Sequence, residues 1–129
     1  AVDFGDLLSQ LGLQVAAHAE EMTTIAEPDS SQFDRFKTFI DDVKVETIER
    51  LVESRNRVQV RYGIEGYAAV FGPLSRGERY LNRAWSALVD LHWPEASQSM
   101  KTAAGALSDA HGELMKLVAA RNAMAAPAA

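Results

Sequence analysis

Cysteine is absent from this chain of 129 residues. Without it no disulfide can form and no thiolate can hold a metal or act as a nucleophile. A reducing compartment suits such a chain, and the cytoplasm is the expected location. The interior of an organelle after leader removal is the alternative, since residue 1 is Ala rather than Met. A secretory signal is not expected at the N-terminus, because Asp3 and Asp6 stand where such a signal carries positive charge. Long apolar runs are missing too: none approaches the roughly 18 residues a membrane-spanning helix needs. Basic residues are in deficit, with 13 Lys and Arg against 18 Asp and Glu for a net charge of −5, which argues against bulk nucleic-acid binding.

The motifs of catalysis are equally thin. Gly63, Gly66, Gly72 and Gly77 fit neither a phosphate-cradling loop nor a dinucleotide fingerprint. The serines fall at helix starts and on polar faces, with no glycine-flanked nucleophile among them. A carboxylate-bridged metal site in a bundle uses Glu-x-x-His on facing helices. This chain has the reverse order, His18-x-x-Glu21 and His92-x-x-Glu95. The expectation is a protein that is not an enzyme and carries no cofactor.

What the sequence does contain is helical periodicity. Apolar residues make up 47% and charged residues 24%, a globular balance that lets one domain bury its own core. We expect a single domain over residues 1–121 and a frayed Ala/Pro tail over 122–129. Phe4, Leu8, Leu11, Val15, His18, Met22 and Ile25 alternate steps of four and three, the seam of a helix packed lengthwise on another. Pro28 breaks that helix, and Asp29 with Gln32 has capping-box spacing for the next. The second helix carries one stripe of Phe33, Phe36, Ile40, Val43, Thr47 and Leu51, and a second of Val45, Ile48 and Val52. Residues 58–71 alternate like a strand at Val58, Val60, Tyr62 and Ile64, but Val60, Ile64, Tyr67 and Phe71 also trace a helix seam. With no second strand to pair with, helix is the expectation. Gly63 and Gly66 mark a kink or a close contact.

Gly72-Pro73 is expected to end that segment, with Ser75 and Glu78 capping a third helix through Leu81, Ala84, Leu88 and Leu91. Pro94 opens a fourth, whose Ala96, Met100, Ala103, Leu107, Ala110, Leu114 and Leu117 keep the seam without error. The sum is an all-α, up-down antiparallel bundle of four helices, or five where the chain breaks near Asn56. Its core is drawn from Leu8, Leu11, Val15, Phe36, Ile40, Val43, Leu51, Leu81, Leu88, Leu107 and Leu114.

Candidate functional residues come from charge and from exceptions to the pattern. Residues 20–53 hold ten acids and four bases, a net of −6, whereas residues 55–83 hold six arginines and two glutamates, a net of +4. Arg76, Arg79 and Arg83 fall on one helix face, and Arg55, Arg57 and Arg61 precede them. Guanidinium groups grip carboxylate or phosphate in forked pairs. These six arginines are therefore a candidate docking patch for an acidic protein segment. The plainer alternative is a solvated face partly paired with Asp41, Asp42, Glu46, Glu49 and Glu53. His18 is the one polar member of its seam: either a half-buried ring bonded to a carbonyl or side chain, or a pH-sensitive packing point. Tyr62, Tyr67 and Trp93 are candidate apolar contacts. The run Ala103-Ala104-Gly105-Ala106 leaves space that Trp85 or Trp93 fills, or that a small apolar ligand occupies.

Two families bear on the C-terminal half. The run from Ser99 to Gly105 has the small residues that follow the phosphorylated histidine of phosphotransfer bundles, with Gln98 or Ser99 near the histidine's place. A degenerate, non-phosphorylated bundle of that type is one alternative. Residues 74–118 resemble the C-terminal helical domain shared by steroid receptor RNA activator protein and the outer scaffold subunit of the COPII coat. The resemblance rests on Leu74-Ser75, Leu81, Leu88, Trp93, Ala96, Leu114-Met115 and Val118, with Met100 where that family has a histidine. It implies a bundle that serves scaffolding and protein contacts. The expected function is accordingly a non-enzymatic protein-interaction module, an adaptor, chaperone-like protein or assembly subunit. Its expected partner is a protein, with self-association also compatible. Binding of a small apolar ligand in the core is the alternative from a different class.

Overall fold

The computed structural model describes residues 3–125. Its helices are α1 (Phe4–Thr23), α2 (Ser30–Val43), α3 (Glu49–Glu53), α4 (Arg55–Val89) and α5 (Trp93–Ala125). A π-helical turn over Lys44–Ile48 joins α2 to α3, so the two form one bent rod and the bundle is four-stranded. Among the described residues there is no strand, and no helix is long and apolar enough to cross a membrane. The start of α1 lies beside the end of α5, where Leu114 and Met115 approach Gly5. The end of α1 lies beside the start of α5, where the Trp93 Nε1–H donates to the Met22 carbonyl at 3.2 Å. The two helices therefore run antiparallel, as do α4 and α5 across their short turn. Of the tail expected over residues 122–129, the first four residues belong to the last turn of α5, which ends at Ala125. Residues 126–129 lie outside the described residues.

Every residue drawn from the sequence for the core is buried. The caps follow suit. Asp3 accepts from the Asp6 amide at the head of α1. Asp29 and Gln32 form a reciprocal capping box at the head of α2. Trp93 fills the top of the bundle, edge-on to Phe33 and Phe36 at centroid separations of 5.2 and 5.4 Å.

Three expectations need correction, each for a local reason. In the second rod the π-turn inserts one residue, so the seam steps from Val43 to Ile48 to Leu51 rather than through Thr47. The two expected stripes become one, and Val45 is 62% exposed. The break expected near Asn56 is found two residues earlier, at Ser54, whose Oγ donates to the Arg50 carbonyl and whose amide donates to Leu51, and needs no correction. Gly72-Pro73 does not end a helix, because α4 runs through Pro73. Val70, Phe71 and Leu74 are buried on either side of it and hold the two turns in line. Leu91 is not a seam residue. It is 67% exposed, with φ 60°, and occupies the left-handed position of a helix-ending motif in which His92 N–H bonds Ala87 O and Leu91 N–H bonds Leu88 O.

The true interruption of α4 is Gly63, at φ 77° and ψ 175°, a conformation open in practice to glycine alone. It turns Arg55–Tyr62 across the base of the bundle, and Val60 and Ile64, expected on a seam, stand 88% and 69% exposed. Beyond it the seam is Gly66, Val70, Leu74, Gly77, Leu81, Ala84 and Leu88.

Pro73 removes one i to i−4 hydrogen bond from α4, and a proline inside a helix costs about 3 kcal/mol relative to alanine. Pro73→Ala is therefore expected to stabilise the protein by roughly 1–3 kcal/mol in chemical denaturation. A destabilised variant would mean that the proline ring is needed where it is.

Candidate functional site

The small residues of α5 do not leave room. Ala103 and Ala106 are fully buried, and a Cβ placed on Gly77 would stand 2.8 Å from Leu107 Cδ2. On the other side of Leu107, a Cβ on Gly12 would meet its Cβ at 3.8 Å. Gly77 thus lets α4 close on Leu107, a purpose the sequence does not announce, whereas a side-chain carbon at Gly12 would meet Leu107 only at ordinary contact distance. Neither tryptophan fills a gap at Ala103–Ala106, because Trp85 is partly exposed and Trp93 packs on Phe33 and Phe36. The apolar-contact surface expected at Tyr62, Tyr67 and Trp93 is also not free. Trp93 is only 7% exposed, Tyr67 stacks on Phe71 at 4.7 Å, and both tyrosines are half-buried against the core.

His18 sits at the edge of its seam, half-buried. Its Nδ1–H donates to the Gln14 carbonyl at 2.7 Å. The ring lies flat on Phe39 with centroids 3.5 Å apart and meets Phe36 edge-on. Its role in the fold is aromatic packing between α1 and α2. Glu21, one turn on, is held by a bidentate pair with Arg35 across the same helix interface. His92 and Glu95 form a contact of their own at 3.3 Å across the α4–α5 turn. The two histidine–glutamate pairs therefore lie in separate places, each with local partners.

The Arg35 hydrogen bond to Glu21 holds its carboxyl below the ordinary carboxylate range. The Ser31 hydroxyl and Gln32 amide do the same for Asp29. Both shifts are downward on folding, so the stability they confer is complete above the ordinary carboxylate pKa and is lost as pH falls through the lowered folded values. Glu21→Gln with Asp29→Asn, which keeps the cap, is expected to flatten the acid limb of the stability–pH curve below about pH 4.5. An unchanged acid limb would show that other carboxylates dominate it.

The six arginines separate into two groups. From Ile64 to Arg76 the helix climbs about 18 Å, so Arg55, Arg57 and Arg61 lie at the base while Arg76, Arg79 and Arg83 lie higher on α4. The upper three are exposed. Arg76 and Arg83 both sit over the Tyr80 ring, at 5.6 and 5.3 Å from its centroid, which fixes two guanidinium groups on one aromatic platform. Among the described residues none of the six arginines makes an ion pair within 4.0 Å. None of the acids expected to pair with them does so within that distance. Glu49 and Glu53 line a shallow hollow with Glu78 and Asn82, and Lys44 Nζ donates to Asn82 Oδ1 at 2.6 Å.

At the base, the turned segment Arg55–Tyr62 roofs a cleft of about 540 Å³. Phe4, Leu114 and Val118 line it from α1 and α5, and Val58 and Tyr62 from α4. Arg57, Arg61 and Asp3 line it as well. The sequence reading missed this cleft, because its arginines are adjacent only through the bend at Gly63. Comparison of the chain with protein-family models, with curated proteins and with solved structures finds no match in any of the three.

Proposed function

We propose that this protein is a non-enzymatic interaction module, an adaptor or assembly subunit of the cytoplasm, that docks an acidic segment of a partner protein on the Arg76–Arg79–Arg83 face of α4. One observation carries the reading: three exposed arginines share a helix face with no carboxylate partner among the described residues, two of them braced on Tyr80. Such a face repels itself, by a few tenths of a kcal/mol per neighbouring pair. A carboxylate-rich segment relieves that repulsion and gains forked hydrogen bonds. The burial of Ala103 and Ala106 and the packing of Leu107 against Gly77 weigh against a ligand held in the middle of the core. The resemblance of residues 74–118 to a scaffolding domain points the same way as the charged face.

A fluorescein-labelled peptide of mixed Glu and aromatic residues serves as the probe. Wild-type protein is expected to bind it with an affinity that falls steeply as salt shortens the Debye length toward about 8 Å. Replacing Arg76, Arg79 and Arg83 together with Gln is expected to abolish binding while leaving thermal stability within about 0.5 kcal/mol. Binding that survives both the substitutions and the salt would rule the docking face out.

A further inference from the structure

The base cleft has the features of a second, separate site. Phe4, Val58, Leu114, Met115 and Val118 line it together with Asp3, Ser54, Arg57 and Arg61, and its volume of about 540 Å³ falls in the range of small-molecule sites. Arg57 and Arg61 are one helical turn apart, so their side chains rise on the same face. Arg57 donates one N–H to Ser54 Oγ at 3.1 Å. That bond orients the guanidinium and leaves most of its five donors free. Ser54 is itself buried and anchored to the Arg50 carbonyl, so the support beneath Arg57 is rigid. Arg121 reaches the same corner, its Nη1 donating to the Arg61 carbonyl at 3.0 Å. Among the described residues the one acid that lines the cleft, Asp3, uses its carboxylate to cap α1 at the Asp6 amide. Two arginines against one aspartate thus line, among the described residues, a cleft that also presents apolar side chains.

From this arrangement we infer that the base cleft binds an amphipathic monocarboxylate, an alkyl or aryl-alkyl acid whose apolar body lies against Phe4, Val58 and Val118. The carboxylate is received by Arg57 and Arg61. Gly5 lines the cleft, and its missing side chain keeps the wall beside Leu114 open: a Cβ there would lie 3.5 Å from the Leu114 methyl and 3.0 Å from Asp3 Oδ2. This site is independent of the arginine face on α4, and either can fail without the other.

Decanoate, decanol and decyltrimethylammonium, each kept below its micelle concentration, are the probes for titration calorimetry. Decanoate is expected to bind saturably at one site, with decanol about tenfold weaker or more, because a charge-assisted hydrogen bond is worth at least that factor. The decyl cation is expected not to bind. Arg57→Gln with Arg61→Gln should bring decanoate down to the affinity of decanol while leaving decanol unchanged. Asp3→Asn, which retains the cap, should tighten decanoate. Should the double variant fail to fold, Arg61→Gln alone gives the same comparison, and Met115→Trp, which adds bulk to the cleft lining, should block both decanoate and decanol. Equal affinity for decanoate and decanol, indifference to the arginine substitutions or to Met115→Trp, or no saturable decanoate binding would each overturn the assignment.

Discussion

Trp93→Ala is expected to destabilise the protein by about 3–5 kcal/mol, the cost of deleting a large buried aromatic, and to lower its melting midpoint by more than about 10 °C. The indole is the piece that closes the upper end of the bundle. It lies edge-on to Phe33 and Phe36 and ties the first turn of α5 to the last turn of α1 through the Met22 carbonyl. The cavity left by alanine would face Phe36, Met22 and Ala96, all essentially without solvent contact, so little could collapse into it. Trp93→Phe separates packing from hydrogen bonding. The Met22 carbonyl also accepts from the Ile25 amide, so losing the indole N–H strands no buried acceptor, and that part costs only about 1 kcal/mol. Denaturant titration of both variants measures the two contributions. A Trp93→Ala protein as stable as the wild type would mean that the ring is a surface contact after all.

The second large effect is expected at Gly63. Its φ of 77° with ψ of 175° costs any L-residue about 1–3 kcal/mol. Nothing lies within 4 Å of the position a Cβ would take. The penalty of Gly63→Ala is therefore conformational, with no steric part. The mirror image of these angles is ordinary extended backbone for an L-residue, so D-alanine introduced at this position by chemical synthesis should be accepted without loss and should stabilise slightly by restricting the unfolded chain. Opposite outcomes for the two enantiomers are the signature of this conformation. If L-alanine were tolerated as well as D-alanine, the bend at Gly63 would not be a fixed part of the native state.

Much of the fold can be read from the residues because its signals are local and repeated. The four-and-three steps of α1 and α5 and the Asp29–Gln32 capping box state their structure in short windows. What could not be read has the opposite character. A π-turn is one extra residue in an otherwise regular helix, and Val43, Thr47 and Leu51 make as good a seam as Val43, Ile48 and Leu51 until the neighbours are in place. Pro73 is a strong local stop, overridden by the burial of Val70, Phe71 and Leu74 around it. Gly77 looks like a weak point in its helix and acts as a close contact for Leu107. The face of Arg76, Arg79 and Arg83 was legible because it lies within two turns of one helix. The base cleft was not, because it draws on α1, α4 and α5 and exists only once Gly63 has turned the chain.

The working surface proposed for this protein is the arginine face of α4. An amide and arginine side-chain chemical-shift titration with the acidic peptide reads that face residue by residue. Docking there should give saturating shifts concentrated at Arg76, Arg79, Tyr80 and Arg83, with the Nε–H signals of the three arginines moving furthest and the whole response fading as salt is added. Shifts centred on the Glu49–Glu53 hollow or spread evenly over the bundle, or no saturation at low salt, would contradict it.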